Sequence, residues 1–136
     1  MKEQATEARI KELIEKCLEI RKNAYAPYSG FAVGAVLVDH AGREFSGVNV
    51  ENASFGLTVC AERNAVAAAV AGGMKQIKLL CVAADAPAPV TPCGACRQVI
   101  AEFADEDAVI IAANLDKNYK LYKVSDLLPE GFKLKP

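Results

Sequence analysis

Three cysteines and one glutamate between Cys60 and Cys96 constrain this 136-residue chain more than any other feature. Cys60-Ala61-Glu62-Arg63 and Pro92-Cys93-Gly94-Ala95-Cys96 place three thiols, a carboxyl and a guanidinium in two short motifs. Each motif predicts a helix start. Cys60 precedes the Ala-rich run Asn64 to Ala71, and Pro92-Cys93-Gly94 precedes the apolar-periodic stretch Ala95 to Phe103. Cys93 and Cys96, three apart, then share one helix face, and Cys60 closes the cluster from the other helix. A fold that satisfies this pattern has to bring two helix N-termini together.

The number of ligands decides what such a cluster does. A structural zinc takes four protein ligands, whereas a catalytic one keeps three and leaves a position for water. Cys17 falls on the apolar face of an N-terminal helix, Cys81 inside the apolar run Leu79 to Ala84, and His40, the single histidine, at a hairpin tip. None of them has a partner at ligand spacing. Three ligands remain, and Glu62 stands two residues beyond the first, placed to handle the protons of a water. Three thiolates on Zn2+ leave a net charge of about −1, which Arg63 and the positive ends of two helices offset. A competing reading takes Cys93-Gly94-Ala95-Cys96 as a thiol redox pair at a helix start. It leaves Cys60-x-Glu62 without a role, and a proline-rich loop rather than a strand runs directly into the motif.

Around the motifs the chain reads as an α/β domain spanning 1–136. Ile10, Leu13, Ile14, Cys17 and Leu18 recur at helical spacing between Thr6 and Arg21. Pro27 and Gly30 make Tyr25 to Phe31 an extended loop. Two β-rich runs, Ala32 to Asp39 and Glu44 to Val50, form a hairpin. Gly72-Gly73 ends the first motif's helix, and Ile77 to Ala84 is apolar enough for a strand buried on both faces. Ala108 to Ala113 and Tyr119 to Val124 are the last strands. Leu115 to Asn118 is too short for a crossover, so these two are antiparallel. Ser125 to Pro129 predicts a short capped helix, and a tail carries Phe132.

Composition excludes several classes. A formal net charge of −1 argues against a nucleic-acid binder, although Lys117, Lys120, Lys123, Lys133 and Lys135 gather toward the C-terminus. No run of ~18 apolar residues offers a membrane span, and the polar start Met1-Lys2-Glu3-Gln4 shows no secretory signal. Five cysteines, three of them assigned to a metal, suit a reducing, cytoplasmic setting better than a disulfide framework.

Cys-x-Glu followed by Pro-Cys-x-x-Cys, with the Glu as acid/base, is the arrangement of zinc deaminases. From about Ala24 to Phe132 the chain resembles the small, homotetrameric cytidine deaminases. The resemblance implies a three-layer α-β-α fold around a mixed five-stranded sheet. It implies hydrolysis of cytidine and deoxycytidine to uridine, deoxyuridine and ammonia in pyrimidine salvage, by zinc-bound hydroxide with Glu62 shuttling protons. It further implies that Asn49 and Glu51 bind the ribose, that the Ala61 amide and Thr91 carbonyl contact the base, and that Phe31 packs on the pyrimidine. Phe132 would complete the pocket of a neighbouring chain in the tetramer, and the apolar flank of the Ala-rich helix would pack at its centre. Two positions depart from the family pattern. Phe55 stands in place of Tyr, and Glu130-Gly131-Phe132 in place of Gly-Ala-Phe, the latter closer to blasticidin-S deaminases and other modified-nucleoside deaminases.

Overall fold

Apolar residues at helical spacing form α1, Glu7–Ile20, whose Thr6 hydroxyl caps the helix by accepting the Arg9 N–H at 3.2 Å. The computed structural model describes residues 5–134, so the polar start at residues 1–4, Lys135 and Pro136 lie outside the described residues. After α1 come β1 (Val33–Asp39), β2 (Glu44–Val48), α2 (Ala61–Ala71), β3 (Ile77–Ala84), α3 (Gly94–Phe103), β4 (Ala104–Asn114), β5 (Tyr119–Lys123) and α4 (Val124–Leu127).

The strands form one sheet in the order β2-β1-β3-β4-β5. The crossover through α3 makes β3 and β4 parallel, and the other neighbours are antiparallel, including β4 and β5. Alternation along the buried strands divides the core in two. Val36, Leu79, Cys81, Ala83 and Ile111 meet Ile10, Leu13, Ile14 and Cys17 of α1. Ala35, Leu37, Leu80, Val82 and Ile110 face α2 and α3 on the other side. The result is the expected three-layer α-β-α arrangement. Cys17 and Cys81 are core residues of the α1 face, the Cys17 thiol donating to the Cys81 carbonyl at 3.3 Å. His40 is exposed in the turn between β1 and β2.

α2 lies almost on the backbone of β2. A Cβ at Gly47 would fall 2.4 Å from the Ala65 nitrogen and 2.5 Å from the Ala61 carbonyl oxygen, so only glycine allows the approach. Gly73, at φ 93°, then turns the chain out of the helix.

Several boundaries differ from the sequence reading, β1 starting at Val33 and α4 ending at Leu127 among them. β2 stops at Val48, because the Val33 N–H donates at 2.9 Å to the Asn49 side-chain oxygen and the amide takes over the ladder's role. β4 starts at Ala104, directly out of α3. Val124 opens α4 instead of closing β5, since the Asp126 carboxylate accepts the Lys123 N–H at 2.9 Å and bends the chain into a helical turn.

Candidate active site

The motifs converge where β3 and β4 end, the edge at which open α/β sheets place their sites. Cys60 and Cys93 occupy the N-cap positions of α2 and α3 with extended backbones, and Cys96 follows in the first turn of α3. The three Sγ atoms lie within 4.8 Å of one another, and among the described residues they are the one such group of potential ligands. Cys60 and Cys93 sulfurs are 3.8 Å apart, those of Cys93 and Cys96 3.5 Å. Tetrahedral bonds of ~2.3 Å to a common zinc separate sulfurs by about 3.8 Å. The donor set therefore fits zinc in spacing as well as in softness.

Arg63 turns back from the first turn of α2, its Nη2 donating to the Cys60 Sγ at 3.6 Å. The Cys96 thiol, then Arg63 and Cys93, stabilise the Cys60 thiolate and bring its pKa down to about 5. Sharing a proton with Cys60, together with burial and the nearby Glu62, pushes the Cys96 thiol up. Contact with both sulfurs raises the Arg63 pKa further, so its charge is permanent there.

Glu62 is 5% exposed. Burial lifts its pKa to about 7, and the Cys60 charge adds to that, against its own backbone N–H and Arg63. Among the described residues no other side chain or backbone N–H bonds it. A buried carboxyl that titrates near neutrality and has no fixed partner is suited to taking and returning protons.

A cavity of about 190 Å³ opens over this group. Its wall includes Phe31, Asn49, Cys60, Ala61, Glu62, Thr91 and Cys93, so six of the residues singled out beyond Cys60 share one space. Val33, Val82, Ala84 and Val90 supply apolar surface that the sequence reading did not assign. Asn49 and Glu51 hold the adjacent loop. The Asn49 amide bridges the Val33 N–H and the Phe31 carbonyl (2.9 and 2.8 Å). The Glu51 carboxylate accepts from the Tyr28 and Ser29 N–H groups at 2.9 and 3.1 Å and from the Ser29 hydroxyl. Those bonds, led by the Ser29 hydroxyl, lower the Glu51 pKa.

Phe132 is apart from the cavity of its own chain. It is 67% exposed, and its carbonyl accepts from Gln98 Nε2 at 2.9 Å. Phe55, 74% exposed, meets Tyr28 edge-on with centroids 5.7 Å apart. Arg97 went unnoticed in the sequence, although it directly follows the last thiol. Its guanidinium donates to the Pro92 and Leu127 carbonyls and the Thr91 hydroxyl.

Residues 7–112 match the family described as the cytidine and deoxycytidylate deaminase zinc-binding region. The cytidine deaminase of Halalkalibacterium halodurans is 45% identical over 120 residues, 88% of this chain and 91% of that one. That of Sporosarcina psychrophila is 43% identical over 123 residues, 90% of each chain. The crystal structure of cytidine deaminase from Burkholderia pseudomallei superposes with a TM-score of 0.86 at 42% identity, covering 90% of this chain and 98% of that one.

Proposed function

Since the chain belongs to the cytidine and deoxycytidylate deaminase zinc-binding family, we propose that it hydrolyses cytidine, and deoxycytidine beside it, to the uridine and ammonia. One observation carries the reading: three thiols at zinc spacing share a 190 Å³ cavity with an unpartnered, buried Glu62. Cys60, Cys93 and Cys96 would hold Zn2+, which when bound acts as a Lewis acid and brings a water's pKa down toward neutrality.

The chain's own residues then divide the work. Glu62 accepts a proton from the attacking water and delivers it to the ring nitrogen next to C4, while the water oxygen forms its bond to C4. The second proton of that oxygen passes through Glu62 to the exocyclic amine. The C4–N bond breaks, ammonia leaves and C4 keeps a carbonyl. The Ala61 amide and Thr91 carbonyl orient the pyrimidine, and Phe31 packs on its face. Asn49 and Glu51 serve the sugar hydroxyls, from positions already fixed by the loop they hold. Val33, Val82, Ala84 and Val90 keep bulk water from the ring.

The active form we propose is a cytoplasmic homotetramer working in pyrimidine salvage. Two exposures support the assembly. Val70 on α2 is 47% exposed beside exposed Ala67, Ala68 and Ala71, an apolar flank with no cover in its own chain, and Phe132 lies outside its own cavity. Among the described residues no helix is long and apolar enough to cross a membrane. Ammonia release from zinc-loaded protein tests the reaction over cytidine, deoxycytidine, free cytosine and blasticidin S. Turnover of the first two is expected. Release from blasticidin S alone would replace the substrate, and no release at all would overturn the activity. Sedimentation of the same preparation should give four times the chain mass, and a fully active monomer would overturn the assembly.

A further inference from the structure

The loop between β3 and α3 forms one wall of the cavity, yet its backbone does little to hold itself. Pro87, Pro89 and Pro92 have no N–H to donate, and no backbone–backbone hydrogen bond within residues 85–92 occurs among the described residues. Two side chains hold it from outside. The Asn114 amide, at the end of β4, donates to the Pro87 carbonyl at 3.3 Å. Arg97 secures the other end: Nε donates to the Pro92 carbonyl at 2.7 Å and Nη2 to the Thr91 hydroxyl at 2.8 Å. The remaining arm, Nη1, donates to the Leu127 carbonyl at 2.9 Å, at the end of α4.

A guanidinium is a planar, rigid fork, so bonds to two acceptors on the loop and a third on α4 fix the rotation of the loop end as well as its position. Arg97 is anchored by α3, the helix that also carries Cys93 as its cap and Cys96 in its first turn. The Thr91 side chain is committed to Arg97, while the Thr91 carbonyl accepts no hydrogen bond within the described residues.

We propose that Arg97 is a positioning residue for the deamination: by clamping Thr91 and Pro92 it aims the Thr91 carbonyl so that the site accepts a 4-amino pyrimidine and rejects the 4-oxo product. The proposal rests on the reading above in which that carbonyl meets the base. An amino group donates to a carbonyl oxygen; a 4-oxo group presents only lone pairs to it. With the clamp removed, the carbonyl can turn away and the distinction fades.

The test uses zinc-loaded Glu62→Gln protein, in which turnover should be slow beside binding, and measures Kd for cytidine and uridine with Arg97, Arg97→Ala, Arg97→Lys and Thr91→Val. Zinc content and thermal melting are recorded for each. The parent should prefer cytidine. Arg97→Ala should reduce that preference by about tenfold, the size of one lost buried hydrogen bond, chiefly through cytidine. Arg97→Lys should recover only part, since an ammonium cannot reach three acceptors in one plane. Thr91→Val, which removes one acceptor and leaves the carbonyl, should shift the ratio the same way and serves if Arg97→Ala fails to fold. A parent preference that survives all three substitutions, both ligands weakening together, overturns the proposal and leaves Arg97 as support for the fold. A parent without any preference overturns the Thr91 reading itself.

Discussion

Asp39, at the end of β1, and Glu62, in the first turn of α2, are buried carboxyls at opposite ends of the sheet. Asp39 has every need met. Its Oδ1 accepts the Ala41 and Arg43 N–H groups at 2.9 and 2.8 Å, and its Oδ2 receives the Arg43 fork at 2.9 and 2.8 Å. Burial works against its charge, but those bonds outweigh it and the pKa is lowered. Glu62 is buried without such a set, and desolvation raises it to about 7. The same functional group is thus locked ionised where it closes a hairpin and left able to gain and lose a proton where it faces a cavity. Burial alone does not mark a catalytic acid; burial without partners does.

The largest effect expected from this contrast is on turnover. Glu62→Gln should lower kcat by about 10²–10⁴-fold, the range for a positioned proton carrier, with zinc retained. It should cost no stability. A folded-state pKa raised from 4.5 to about 7 means that ionised Glu62 opposes folding progressively as pH rises across that window. In metal-free protein, Glu62→Gln should therefore melt at or above the parent at pH 8, and the difference should vanish below pH 4.5. Near-normal turnover in zinc-replete mutant would break the comparison on its functional side.

The hairpin end should respond in the opposite sense. Asp39→Asn keeps an acceptor for the two backbone N–H groups but presents an amide to the Arg43 fork. A loss of about 1–3 kcal/mol in unfolding free energy is expected, with kcat within a few fold of the parent. Because the folded pKa is depressed below the ordinary 3.8, the contribution of Asp39 is complete above that value and disappears as pH falls through the folded pKa. Urea unfolding at pH 7 and pH 3 separates the two: the gap between parent and mutant should be smaller at the second than at the first. A gap that stays constant would mean that the Asp39 charge is not what closes the turn.

Much of this is legible in the sequence. The three thiols, Glu62 and Arg63 occupy two short motifs whose helix starts follow from local sequence, and both helices begin as expected, with Cys60 and Cys93 as their caps. The α/β class followed from apolar period, and the three layers from the family resemblance. What escaped were bonds between distant segments. Glu51 reaches back to Tyr28 and Ser29, and Arg97 reaches forward to Leu127. A local pattern does not encode such pairs, and each side chain reads as an ordinary surface group until the sheet brings its partner near. The shifted end of β2 shares that origin, since Asn49 bonds Val33 across the sheet, whereas the end of β5 is set locally by Asp126 three residues beyond Lys123.

Beside Glu62, Arg63 moderates the charged end without sealing it. It bonds the Cys60 sulfur, yet leaves Glu62 free and its own Nε buried with no partner. The Arg43 guanidinium, by contrast, bonds the Asp39 carboxylate itself. Removing Arg63 should have the smallest effect of the three, because a bound zinc would be the larger support of the Cys60 thiolate and the three sulfurs stay in place. The direction is nonetheless fixed. Without the guanidinium the Cys60 thiol moves up from about 5, so protons compete for its sulfur at higher pH. In Arg63→Ala the pH at which half the zinc is lost on acidification should rise, as read by a chromogenic zinc chelator over a series of buffers. Zinc released at the same pH as from the parent would mean that Arg63 does not support the thiolate cluster. The asymmetry between the two arginines would then have to be sought in packing rather than in charge.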